Sequence, residues 1–379
     1  MTRWLAIGEP KLEHLAPRVL EPQRTQLDLR QPRRTLAAIE LPEGRPIARL
    51  LPVGEGLLIV REPDPLGVVE LLLLDAKLAP LAELEGLRAD WAVDEARGVL
   101  LGRTLEGSLA AWSLADLASR PVALSARFEG RELDALRLVE DLVVSATRKP
   151  RLLGAAPLDV VLDVHHIGDY QTRTRFASLK HARRIAERST SGCSRVLVEL
   201  DLSGIVVASE GELAWFDWTL RARAELSHEA EVVQLARRGD GRCWAQVDLD
   251  GQPELWLLST GVIEQRIALD PDIAWPRARE RGSLLVAPDG AAVLIASKRV
   301  ACLDAGALRW VYERRGRACG VIDEQGTTVV GHDRGLVAFA APGEAAAVWT
   351  DESERGIEAI ACGPTRVWVG AGRWIRALG

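Results

Sequence analysis

A chain of 379 residues with 48 basic and 54 acidic side chains carries a net charge of −6, is 47% hydrophobic and can bury a large core. The charged fraction of 27% is ordinary for a globular protein, and the acidic balance argues against a dedicated nucleic-acid binder, whose phosphate contacts need a basic surface. The longest apolar run, Val68–Ala76, is far short of the ~20 residues that span a bilayer, so no membrane partner is expected.

The opening residues, MTRWLAIGEPKLEHL, lack the apolar core of a secretory signal because Gly8, Glu9 and Pro10 interrupt it, and the expected compartment is the cytoplasm. Residues 1–33 hold Pro10, Pro17, Pro22 and Pro32 among scattered apolar residues (Trp4, Leu5, Leu12, Leu15, Leu20), which predicts an extended arm packed on the outside of the fold. A strand follows over 34–42.

From there one grammar repeats: a turn signal, then a short β-rich run. The runs begin at Leu57, Val99, Leu142, Ile205, Cys243, Ala292, Thr328 and Val367, at spacings of 42, 43, 63, 38, 49, 36 and 39 residues. Short runs of Val, Leu, Ile and Trp bounded by Gly, Pro and Asp are strands, and Asp-Gly supplies the positive φ that tight hairpins need. The last unit has only three runs, IEAIACG, RVWVGAG and RWIRALG. Pairing the strand at 34–42 with it as a fourth, outer strand removes an exposed sheet edge. A period of about 40–45 residues is that of propeller blades. The expected fold is therefore an all-β propeller of four-stranded antiparallel blades over 34–379, with eight blades favoured and seven the alternative.

The third unit is too long. Its excess, Tyr170 to Gly192, places Phe176, Leu179, Ala182 and Ile185 three apart and predicts a short amphipathic helix leaving the blade. Arg173, Arg175, Lys180, Arg183, Arg184 and Arg188 make it the most basic part of an acidic chain and the candidate partner-binding element, since arginine forks suit carboxylates.

The stretch RVACLDAGALRWVYE, from Arg299 to Glu313, reads as two strands around a turn at Asp304-Ala305-Gly306. Through Leu303, Asp304, Ala305, Gly306, Leu308 and Trp310 it resembles the outer hairpin of the quinoprotein-like (PQQ-like) propeller repeat, with looser versions at Trp112, Trp215 and Trp256. The resemblance extends to WD40-like propellers and implies that these tryptophans dock between neighbouring blades. Only five of the 48 basic residues are lysine, a bias that fits a GC-rich bacterial gene.

Chemistry is sparse. The vicinal Cys-Cys pair of the quinoprotein dehydrogenases is absent, and no cofactor is expected. The five cysteines (Cys193, Cys243, Cys302, Cys319, Cys362) form no CxxC pair and read as small core residues. Asp163, His165, His166 and Asp169 offer metal-ligand types, but Asp163 and His165 lie on one side of a strand and His166 on the other. Arg238-Gly239-Asp240 reads as a hairpin turn. Gly370-Ala371-Gly372 joins strands with no helix after it, which excludes a phosphate loop. The expectation is a non-catalytic platform that binds protein partners in a bacterial cytoplasmic complex, beside an ATPase or protease system. The alternatives are a hydrolase or lyase, or a small-ligand sensor, using the central channel.

Overall fold

The repeated turn-and-run grammar becomes a backbone of short antiparallel strands. The computed structural model describes residues 5–6, 30, 32–94, 98–115, 117, 121–125, 132–139, 142–148, 160–166, 183–190, 196–200, 204–209, 211–238, 240–270, 273, 283–296, 298–304, 307–313, 319–322, 326–332, 335–340, 344–350, 356–363 and 365–379. Among them every regular element is a strand, and the strands form seven sheets. The eight predicted runs are Gly56–Arg61, Val99–Thr104, Leu142–Arg148, Ile205–Ser209, Cys243–Leu249, Ala292–Ile295, Thr328–His332 and Val367–Ala371. Seven of them begin on the predicted residue, and the first begins one residue early. Each is the second strand of a repeating set. A long strand, Pro80–Asp94, ends the first set and opens the next, so those two sets are joined in a seven-stranded sheet.

Backbone contacts divide the chain into two compact units, residues 1–20, 86–250 and 256–264, and residues 21–85, 251–255 and 265–379. In the first, Ile205–Ser209 shows how the core is built. Ile205 and Val207 enter one buried cluster with Leu162, Val164 and Val198, while Val206 and Ala208 enter another with Ala245, Val247 and Trp256. Alternate side chains serve opposite faces of a strand. A central strand covered on both faces therefore reads as an unbroken apolar run, and each fully buried Val, Ile or Leu contributes about 1.5–3 kcal/mol.

The second unit repeats the device, with Val367, Val369 and Ala371 in one layer and Trp368 in the next. It also holds the predicted closure. Thr35–Glu40 pairs antiparallel with Trp374–Leu378 as the outer strand of the sheet completed by Val367–Ala371 and Ala359–Cys362. Trp349 Nε1 donates to Thr35 Oγ1 at 3.3 Å.

Two expectations need correction. Arg183–Thr190 is not helical: it is a strand paired with Val160–His166 and flanked on its outer side by Leu5–Ala6. The three-apart apolar spacing ends at Ile185, and the unpaired edge of Val160–His166 overrides the local helical preference. Residues 167–182, with the rest of the predicted helix, lie outside the described residues. So does most of the predicted arm. The second correction concerns the tryptophans. Trp112, Trp215 and Trp256 are buried as expected, but Trp310 is half-buried. It lies on the fourth strand, Ala307–Glu313, where only one side is covered, and stacks on Phe339 at 5.2 Å. The largest fully buried side chains are instead Trp244 and Trp368 on second strands, with Trp256.

Candidate interaction surface

The basic residues picked from the sequence do not come together as a described site. Arg173, Arg175 and Lys180 lie outside the described residues, and Arg183, Arg184 and Arg188 belong to the backbone of the strand Arg183–Thr190. The surface that does assemble is acidic. It forms where the sheet of Leu197–Leu200, Ile205–Ser209, Glu212–Phe216 and Ala222–Ser227 hands the chain to Glu231–Arg237.

At that end Ala222–Ser227 finishes, residues 228–230 cross over, and Glu231–Arg237 begins. Glu225, Glu229 and Glu231 are exposed. Glu231 sits directly opposite Asp248 in the ladder, a like-charge pairing that weakens a sheet. Asp250, also exposed, begins the following turn with φ of 52° and Gly251 with 82°, the two left-handed positions of a type I′ hairpin. Among the described residues Glu225, Glu229, Glu231 and Asp250 make no ion pair. The crossover is held rigidly: His228 N–H donates to Gly211 O at 2.9 Å, and the His228 ring meets Trp256 edge-on at 5.7 Å.

At the same end of the first of these sheets, Glu212 opens the strand Glu212–Phe216. It is 6% exposed, faces Ser209 and Ser227 across its two ladders, and its Oε2 is buried with no hydrogen-bond partner. Ser209 Oγ donates to the Glu212 carbonyl at 3.4 Å rather than to the carboxylate. Burial, and then the nearby Glu225 charge, push the Glu212 carboxyl up to about 7, against the lowering effect of the chain's amino-terminal charge.

The opposite ends of the same strands pair their charges internally. Arg238 is buried, reaches Asp240 at 3.3 Å and lies over the Trp244 ring at 5.8 Å. Arg242 bonds Asp240 at 2.5 Å and Glu264 at 3.3 Å. These contacts hold Asp240 below the usual carboxylate range against the opposing effect of burial. The Arg-Gly-Asp turn is thus consumed in the chain's own ion network. Asp217 Oδ1 likewise accepts from Thr219 N–H, Thr219 Oγ1 and Arg221 N–H.

On the first strands of three successive sheets, Glu199 stands in the fields of Arg137 and Arg237. Burial raises its carboxyl above the usual range, and the two arginines oppose that shift. This is a compensated interior charge, with Glu199 Oε1 also accepting from Leu200 N–H at 3.1 Å.

Asp163, His165 and His166 lie on the strand Val160–His166, with an irregularity between Val164 and His165, while Asp169 is outside the described residues. Among the described residues no group of three His, Cys, Asp or Glu side chains is placed to hold a metal ion. Cys243 and Cys302 are buried, and Cys319 and Cys362 are half-buried. Burial pushes the Cys302 thiol up to about 11. No described helix is long and apolar enough to cross a membrane.

No protein-family model matches the chain, and no curated protein sequence matches it. Solved structures do. Sqt1 of Saccharomyces cerevisiae superposes with a TM-score of 0.59 at 12% identity, over 90% of this chain and 98% of that one. Sqt1 of Chaetomium thermophilum, crystallised with the N-terminus of the ribosomal protein L10, gives 0.56 at 12% identity over the same shares. The WD40 β-propeller domain of Doa1 aligns over 92% of this chain and 97% of its own at a TM-score of 0.47 and 12% identity. The fold is an all-β propeller of antiparallel sheets. The identities are too low to carry a function from these proteins, and the acidic edge of the propeller stands on its own geometry.

Proposed function

We propose that this propeller is a non-catalytic protein-interaction platform of a bacterial cytoplasmic complex, built as eight blades and working beside an ATPase or protease system. One observation carries the reading. In the two sheets that carry Ala222–Ser227 and Glu231–Arg237, Arg238, Asp240, Arg242 and Glu264 are paired within the chain, while Glu225, Glu229, Glu231 and Asp250 are exposed and make no ion pair among the described residues. Glu229 sits on the crossover that His228 pins to Gly211 and Trp256, with Glu225 and Glu231 on the strands either side of it. Fixed, unpaired charge on a rigid scaffold is a ready recognition surface, because the ordering cost of binding is largely met in advance. The Chaetomium Sqt1 complex supports the class of function, since that protein holds a protein segment on the same fold. The test is cross-linking of the tagged full chain in a cell of its own kind, followed by purification. A protein recovered in stoichiometric amount is the expected result. A chain that remains alone under all growth conditions tried would falsify the reading.

A further inference from the structure

One sheet carries a strand that the repeat does not supply. Among the described residues the other sheets stop at the fourth strand of their set, but Leu5–Ala6 adds a fifth to the outer edge of Arg183–Thr190. The pairing is antiparallel, Leu5 opposite Ser189 and Ala6 opposite Arg188. An outer strand offers a row of backbone N–H and C=O groups to any extended chain, and here the protein itself shows that this edge accepts one. The ladder to Val160–His166 runs in continuous register from Thr190 to Ala186 and then steps, with Val164 facing Ala186 and His165 facing Arg184, so Ile185 is an extra residue. Such a bulge interrupts regular pairing. The regular part of the edge is therefore Ala186–Thr190, and Leu5–Ala6 covers only two of its residues. In the sequence Gly8 and Pro10 follow closely, and both are depleted in strands, so a longer β-forming segment has more of this edge to gain than the chain's own.

We propose that the Ala186–Thr190 edge is a strand-addition site for an acidic, extended segment of a protein partner, and that Leu5–Ala6 is a placeholder which that segment displaces. The charge of the strand sets the chemistry of the occupant: Arg183, Arg184 and Arg188 stand against a single acidic residue, Glu187. Opposite-charge residues facing across a ladder stabilise it, and the chain's own occupant sets a neutral Ala6 opposite Arg188. A partner with Asp or Glu at that register position gains an attraction that the placeholder does not have. Backbone pairing then supplies affinity, and the charge pattern supplies choice of partner. The inference rests on the platform reading for there being a protein partner, but it uses a different surface from the exposed glutamates.

The test uses the full chain and a fluorescent synthetic peptide of about ten residues in which Glu alternates with Val and Thr, read by anisotropy. Leu5→Pro with Ala6→Pro removes the placeholder's donors and should tighten binding about tenfold, the gain expected when the occupied edge was open about a tenth of the time. N-methylation of one set of alternate peptide amides should weaken binding at least about tenfold and methylation of the other set far less, because only one set of N–H groups faces the edge. Hydrogen exchange should show new protection at residues 186–190 when the peptide is bound. Arg184→Glu with Arg188→Glu should lose the Glu peptide and take up the matching Lys peptide, a gain that a misfolded variant could not show. Equal binding with and without the two prolines, equal effects of the two methylation patterns, or a bound peptide that leaves 186–190 unprotected overturns the inference. A partner recovered by cross-linking whose capture ignores both the proline pair and the Arg184/Arg188 change also overturns it, and leaves the platform reading standing.

Discussion

Replacing Glu212 by Gln should make the protein more stable at alkaline pH and leave it nearly unchanged in acid. The folded-state pKa is raised, from the ordinary 4.5 to about 7, so the folded protein holds this proton more tightly than the unfolded chain. The stabilising effect of the protonated group is complete below pH 4.5, is lost as pH rises through 7, and is gone above about pH 8. At about 1.4 kcal/mol per pKa unit the full displacement is worth about 3 kcal/mol, and allowance for solvent at the sheet end brings the expected loss to about 1–2 kcal/mol. Gln fills the same space and carries no charge, so the variant escapes that loss. The assay is a series of urea unfolding curves on both proteins from about pH 5 to 8.5, compared as the difference in unfolding free energy at each pH. Using the difference cancels the contribution of Glu199, whose carboxyl is also raised but is present in both proteins. The gap should open from about pH 4.5, reach half its full size near about pH 5.8, between the two values, and level off above about 7. A gap that is constant with pH would show that Glu212 is not titrating in a buried site, and the argument from its orphaned oxygen would go with it.

Core position decides the cost of losing a tryptophan. Trp368→Ala, at a fully buried site, should cost about 3–5 kcal/mol, whereas Trp310→Ala, half-exposed against Phe339, should cost about half as much; calorimetric melting of both variants checks the order. A methyl group at Gly363 would run into the Trp368 ring, so Gly363→Ala should lower the melting temperature, and pairing it with Trp368→Phe should recover part of the loss. Iodoacetamide at pH 8 should label Cys319 and Cys362 well before Cys302, whose burial suppresses the thiolate; peptide mass spectrometry over time reads the order.

The second strands were legible because each begins just after a turn signal and is apolar on both faces. Ile205-Val206-Val207-Ala208 after Ser203-Gly204 needs no knowledge of its neighbours. The closure was legible from a deficit, three strands at 357–379 and a spare one at 34–42. Arg183–Thr190 was not, because four charged residues in eight do not read as a strand. Only the vacant edge of Val160–His166 makes it one. The acidic edge was hidden for a different reason. Glu229, Glu231 and Asp250 come to one end of the strands only through the crossover and the turn at Asp250-Gly251. Whether a glutamate is buried also depends on packing that no local pattern encodes. Charge is dense in sequence instead at the basic segment 170–192. Charge reversal at Arg173, Arg175 and Lys180 tests that segment without touching the strand at 183–190: loss of the cross-linked partner with an unchanged melting temperature is the outcome expected of a docking element.

The pairing of Thr35–Glu40 with Trp374–Leu378 has a consequence during synthesis. At roughly 5–20 residues per second, the early strand emerges from the ribosome and waits about 15–70 s before its mate is made. Through that interval Ala37 and Ile39 lack Trp368, Ile375 and Ala377, the late-made members of the core they pack against. The hydrogen bond of Trp349 to Thr35, 314 residues apart, likewise cannot form early. The sheets between can assemble from neighbours as they appear, but the one that joins the two distant segments must come late. A nascent chain stalled before residue 374 should therefore expose this segment to proteases and chaperones, and release of the last strands should abruptly protect it.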